Sequence, residues 1–330
     1  MTEPPLAPTL SICIPTYNRA ALLATALESV LSQAQADVEV VVCDNASRDD
    51  TALVVETFSR RGLNVRYFKW RENVGFDRNL LQCVSMAAGQ YCWLLGDDDA
   101  LEEGAVEKLR HLLTSEPTGV CTGVQYYESD LKTKRSRNSI VYCAGTTHFV
   151  DPVACFSTLG NAFGFMSSQI VNRSIWNMVL ASFDAESHLN GYIHLHVIAR
   201  MVFLRPDWYY FDDKLISCRT GNDSAATEGM LKRMDLDLKN YSDVVGEVYG
   251  NNPVVKDKVM KMLLKEYSNS QIIIVKLQKG ANLKYITDTF MLMKKYYSSY
   301  SSFWLTSVPI LLTPNAVLIA ARDLKKRMAR

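Results

Sequence analysis

Short apolar runs alternate with longer amphipathic ones through the first third of the chain. Leu10–Ile14, Val38–Cys43, Asn64–Lys69 and Gln90–Leu95 read as strands. Ala20–Ser32, Thr51–Arg61, Phe76–Ala88 and Gly104–Leu113 follow them with the 3.6-residue spacing of helices. Strict alternation of this kind predicts right-handed βαβ units around a mainly parallel sheet. In such sheets ligands bind outside the carboxyl ends of the strands.

From Val120 to about Phe211 the pattern is mixed. Val120–Tyr127 and Trp208–Phe211 are strand-like, Ile193–Val202 is helical, and Lys132–Asn138 is a basic loop or hairpin tip. After Gly221 the strand rhythm stops, and residues 228–300 are polar-helical. A two-part organisation is expected, 1–225 and a helical region 226–330. Phe303–Ala320 is nearly uncharged and is followed by Arg322, Lys325, Lys326, Arg327 and Arg330. Its length approaches a bilayer span, but Pro309 and Pro314 interrupt it. Two readings stand: an interfacial segment with a basic flank, giving peripheral membrane contact, or a helical pair packed on the core.

Composition narrows the class. Hydrophobic content of 48% and charged content of 22% over 330 residues are those of a folded protein with a substantial core. A net charge of +1 gives no reason to expect nucleic acid as a partner. The eight cysteines include no C-x-x-C pair, and several sit in apolar runs. That fits a reducing cytosol. Met1 to Pro8 has neither a basic nor an apolar stretch and does not read as a signal peptide. A cytoplasmic location is expected, peripheral on the inner face of the cytoplasmic membrane if the interfacial reading holds.

The chemistry concentrates where the fourth strand ends. Tyr91-Cys92-Trp93-Leu94-Leu95-Gly96 runs into Asp97-Asp98-Asp99. Three adjacent carboxylates cannot be buried without a compensating cation. Hard oxygen ligands suit Mg²⁺ or Mn²⁺, ions that also hold substrate phosphates. A solvated acidic turn capping the next helix is the alternative. Three further polar turns lie upstream, each after a strand and before a helix. They are Ile14-Pro15-Thr16-Tyr17-Asn18-Arg19, Cys43-Asp44-Asn45-Ala46-Ser47-Arg48-Asp49 and Asn73-Val74-Gly75-Phe76-Asp77-Arg78-Asn79.

In this order and spacing the four motifs resemble the family-2 glycosyltransferases, nucleotide-sugar-dependent enzymes of GT-A fold. The resemblance covers residues 8–115. The stretch from Asn73 to Asp99 is similar to bacterial O-antigen transferases of the abequosyltransferase type. It implies a GT-A-like α/β fold and a nucleotide-diphosphate sugar donor, a CDP-linked dideoxyhexose for the narrower match. It implies a saccharide acceptor on polyprenyl diphosphate and a divalent cofactor, Mn²⁺ or Mg²⁺. Carried over, Asp99 is the metal ligand, Asp97 serves ribose or metal, and Asp98 lies between them. The family pattern is Asp-x-Asp, so three aspartates leave the register open by one. Asp44 contacts the nucleobase, with an N-cap or Asx turn as its alternative. Pro15, Tyr17 and Arg19 wrap the nucleotide, and Arg78 reaches the diphosphate or braces the aspartates. Arg219 and Asn222 belong to a loop closing over the diphosphate, with a plain loop as the alternative.

Inverting members carry a Glu-Asp pair at the start of a later helix. The corresponding place here is Gly191-Tyr192-Ile193-His194-Leu195-His196, which has no carboxylate. His194 is one candidate base, with a helix-face residue contacting the acceptor as its alternative. Asp184 and Glu186 are the other candidates. Inversion is therefore open, because a retaining route assisted by the leaving phosphate needs no base. A nucleotidyltransferase would need a Gly-rich first loop, and Pro15–Arg19 has no glycine. A non-catalytic nucleotide-sugar-binding module would not need the whole acidic triplet.

Overall fold

The apolar runs become one side of a nine-stranded sheet in the computed structural model, which describes residues 9–33, 35–135, 142–221, 229–278 and 282–328. β1 (Leu10–Thr16), β2 (Val38–Asp44), β3 (Val65–Lys69) and β4 (Tyr91–Leu94) pair in parallel in the spatial order β3-β2-β1-β4. β1, β2 and β4 are buried at every residue, as strands covered on both faces must be. Helices α1 (Ala20–Leu31), α2 (Thr51–Arg60) and α3 (Phe76–Met86) connect them. α1 buries Leu23, Ala26, Leu27 and Val30, the stripe its spacing predicts. From β1 the chain winds to one edge, then returns to place β4 on the other side of β1. That reversal opens a crevice at the ends of β1 and β4.

Beyond β4 the sheet is mixed. β5 (Ala100–Leu101), α4 (Ala105–Leu113), β6 (Gly119–Tyr127), β7 (Thr147–Phe149), α5 (Pro152–Phe163), β8 (Gln169–Asn172), α6 (Arg173–Leu180), α7 (Ile193–Leu204) and β9 (Trp208–Arg219) follow. β8 enters antiparallel between β4 and β6. β9 runs parallel to β6 and antiparallel to β5 and β7. The mainly parallel arrangement therefore describes the first four strands only. β9 is three times longer than its expected Trp208–Phe211 core, because its register against β6 shifts at Gly123. The shift leaves Asp212 and Asp213 out of the pairing, and those polar residues hide the strand's continuation. Tyr127 bridges Lys134 as a hairpin, and residues 136–138 of that expected tip lie outside the described residues.

The chain divides into two compact units, Met1–Asn222 and Asp223–Arg330. The second is helical among its described residues. α8 (Met230–Glu247), α9 (Pro253–Met262), α10 (Asn269–Gln278), α11 (Leu283–Tyr297), α12 (Val308–Leu312) and α13 (Asn315–Met328) compose it. π-helical turns over Leu263–Ser268 and Phe303–Ser307 lead into α10 and α12. No single described helix is long and apolar enough to cross a membrane. The segments Phe303–Leu312 and Asn315–Leu324 meet at an angle of 98°. Thr313, forced by Pro314 into an extended conformation, makes the break. Lys276 is 1% exposed and donates to the Leu311 carbonyl at 2.6 Å, satisfying the end of α12.

Candidate active site

The crevice between β1 and β4 brings the first and last motifs together. Cys13 pairs with Leu94, so Thr16 and Asp97 leave their strands side by side. The Thr16 hydroxyl donates to Asp97 Oδ2 at 2.8 Å. Arg19 Nη1 donates to Asp97 Oδ1 and to Asp98 Oδ2, both at 3.1 Å. Burial disfavours charge on the Arg19 guanidinium, but the two carboxylates outweigh it and raise its pKa. Burial pushes Asp97 up to about 6 against the opposing pull of Arg19.

Asp99 faces the other way. Its Oδ2 accepts the Ser167 hydroxyl at 2.5 Å and its Oδ1 accepts Arg219 N–H at 3.1 Å. Burial, then the neighbouring Asp98 charge, push it up to about 7. Ser167 also accepts Gly96 N–H at 3.0 Å. Ser167 thereby clamps the loop from both ends, a role no sequence pattern signalled. The expectation that Asp99 is the metal ligand meets a geometric obstacle, since the carboxylate is only 4% exposed and bonded on both oxygens. Asp98 is the partly open member, its side chain 24% exposed. The donor set fits a hard divalent ion: Asp97 and Asp98 already converge on one cationic group, and both offer only oxygen.

The second motif is equally ordered. Asp44 is fully buried, accepting Ser47 N–H and the Tyr67 hydroxyl, each at 2.7 Å. The bond to Ser47 N–H, three residues on, closes the turn at the end of β2. Asn45 and Asn73 exchange contacts that tie this turn to the next one. Asn45 Nδ2 donates to Asn73 Oδ1 at 2.9 Å, and Val74 N–H donates to Asn45 Oδ1 at 2.8 Å. Gly75 follows at φ +88°, a backbone that side chains rarely adopt, and opens α3. Pro15 is buried in β1, whereas Tyr17 is exposed at the crevice rim.

Other expected residues lie elsewhere. Arg78 is bonded to Glu186 at 2.5 Å rather than to the aspartates. The Arg219 guanidinium donates to the backbone carbonyls of Asp98 and Ser129, tying the end of β9 to the acidic loop. Asn222 lies outside the described residues. His194 is 3% exposed, its Nε2 lies 3.2 Å from the Gly164 carbonyl, and its ring stacks on Tyr192. His194 is thus packed beneath the surface. Asp184 is exposed just before the Glu186–His188 turn. Asp77 is a further ordered acid. It is buried and accepts the N–H groups of Gly191 (2.6 Å) and Ile193 (3.2 Å), docking the start of α7 on α3.

The family profile described as glycosyl transferase family 2 matches residues 11–169. Abequosyltransferase RfbV of Salmonella typhimurium is 31% identical over 273 residues, spanning 78% of this chain and 80% of that protein. The chain is a family-2 glycosyltransferase. It is also 35% identical over 103 residues to a GalNAc(5)-diNAcBac-PP-undecaprenol beta-1,3-glucosyltransferase of Campylobacter jejuni, covering 31% of this chain and 33% of that one. Among solved structures, TarS 1-349 of S. aureus in complex with UDP-GlcNAc superposes with a TM-score of 0.60 at 14% identity, covering 88% and 82% of the two chains. The mannosyltransferase PcManGT of Pyrobaculum calidifontis, in complex with GDP-Man and Mn²⁺, gives 0.55 at 15% identity over 96% and 87%. These likenesses establish the GT-A fold of this glycosyltransferase.

Proposed function

We propose that this glycosyltransferase moves a sugar from a nucleotide diphosphate to a hydroxyl of a lipid-linked saccharide during cell-surface polysaccharide assembly. The donor is a dideoxyhexose nucleotide such as a CDP-sugar, by likeness to the abequosyltransferase. The acceptor's lipid carrier follows the diphosphoundecaprenol relative. One observation carries the reading: Thr16, Arg19, Asp97 and Asp98 converge at the switch point of the sheet.

Asp98 and Asp97 would hold Mn²⁺ or Mg²⁺, with Asp98 taking the place first expected of Asp99. The ion, when bound, supplies positive charge for the leaving diphosphate. Arg19 stays at hand as a second cation for the same phosphates. Tyr17 offers a stacking face to the base, and Asp44 shapes that side of the pocket through Ser47 and Tyr67. Asp184 takes the proton from the acceptor hydroxyl in an inverting displacement. Glu186 is less suited, because Arg78 already neutralises it. In this reading the donor is bound wholly by the first part of the chain, taken as 1–225, apart from the helical region 226–330. Contact with the inner face of the membrane belongs to the second.

Calorimetric titration of CDP, UDP and GDP, with and without Mn²⁺, tests the proposal. Tight binding of one nucleotide that disappears in EDTA is expected. Equal, metal-independent binding of all three would overturn it.

A further inference from the structure

Residues 301–321 contain no charged side chain, yet much of that run lies on the surface. Phe303 and Leu311 are buried and anchor it to the second unit. Trp304, Leu305, Leu312, Val317, Ile319 and Leu324 point outward, Leu305 at 75% and Leu312 at 69% exposure. Among the described residues, six of the sixteen exposed large apolar side chains therefore fall within 21 positions. An apolar surface this concentrated marks an interaction face. The sequence supplies the complementary charge at once, with five basic residues and one acid between Arg322 and Arg330, a net of +4.

The bend decides how such a face can meet a bilayer. A straight helix of this length would approach a span, but the 98° break and the Lys276 bond to Leu311 keep two short arms instead. Neither arm, at about ten residues, crosses the hydrocarbon core. Both can lie at the boundary between headgroups and acyl chains, where tryptophan and basic residues are favoured.

We propose that the bent pair Phe303–Leu324 is a surface wedge that inserts its outward apolar residues into an anionic membrane leaflet, with the basic C-terminal run binding the headgroups. This deepens the reading of a lipid-linked acceptor, but its test does not depend on sugar transfer. Full-length protein is sedimented with vesicles of phosphatidylglycerol and phosphatidylcholine, and with phosphatidylcholine alone, at low and high salt. Binding is expected to need the anionic lipid and to weaken with salt. The double variant Leu305→Glu, Leu312→Glu is expected to lower the bound fraction's partition coefficient about tenfold or more. Both positions are solvent-facing, so unchanged circular dichroism and melting temperature are expected alongside. Transfer to a soluble acceptor analogue stays at the parent rate, which separates loss of the wedge from failure of the catalytic reading. Parent protein that ignores anionic vesicles at low salt overturns the proposal. So does a double variant that binds them unchanged. A concentration-dependent dimer that the same substitutions dissociate, without vesicle binding, assigns the face to self-association and overturns it too.

Discussion

Arg19 sits 3.1 Å from a carboxylate oxygen of Asp97 and 3.1 Å from one of Asp98, bridging the two acids with a single guanidinium nitrogen. The loop after β1 thus carries the counter-ion for the loop after β4. Arg19→Ala leaves both carboxylates without that partner. A loss of about 1–2 kcal/mol in stability is expected, reduced from the value for a fully buried pair because Arg19 is partly exposed. Added Mn²⁺ should raise the melting temperature more in the variant than in the parent. Thermal denaturation with and without the ion measures both, and an identical Mn²⁺ response would remove Arg19 from the site.

The three aspartates are expected to separate by function. Asp98→Asn should abolish Mn²⁺-dependent nucleotide binding with little change in melting temperature. Asp99→Ala should instead cost about 1–3 kcal/mol of stability, since it strands the Ser167 hydroxyl and the Arg219 N–H. Calorimetry of binding beside denaturant unfolding distinguishes them. The reverse pattern would restore Asp99 as the ligand.

Proton removal gives a third expectation. Asp184→Asn should lower turnover by roughly 10²–10⁴-fold, with donor affinity nearly unchanged. His194→Ala should act through stability, because its ring is packed and bonded to Gly164. The product's anomeric configuration, read by NMR, should be inverted. Retention with normal turnover in both variants would point to assistance by the leaving phosphate.

Asp77 yields a pH-dependent prediction. Burial raises its pKa, while the N–H groups of Gly191, Ile193 and Asn190 and the charge of Arg78 oppose the shift. The folded state therefore binds its proton more tightly than the unfolded state, and stability from this group grows as pH falls. Compared with Asp77→Asn, the parent should gain relative stability as pH falls toward the ordinary aspartate value of about 4. Paired urea titrations across that range measure it. A difference that does not move, or moves the other way, would show that Asp77 is charged in the fold at no cost.

β1, β2 and β4 were legible because their apolar runs are covered on both faces, and the edge strand β3 because it stands between two clear helices. β5, β7 and β8 were not, since pieces of two to four residues show no period. The acidic triplet was legible as a site, but not its internal division. Adjacent aspartates look alike in sequence, and only Ser167 and Arg219 reveal that Asp99 turns inward. Asp44 shows the same limit: the residue type and strand end were readable, while the tyrosine that binds it lies 23 positions away.

That long reach has a consequence for the newly made chain. The carboxylates that define the site stand at 97–99, yet one is fastened from residue 167 and again from residue 219. During synthesis the motif emerges long before its fastenings do. A nascent or truncated polypeptide ending ahead of β9 carries the β1 and β4 motifs but lacks the Arg219 N–H that holds Asp99. The acidic loop is thus fully fastened only once the strand that pairs to β6 is in place.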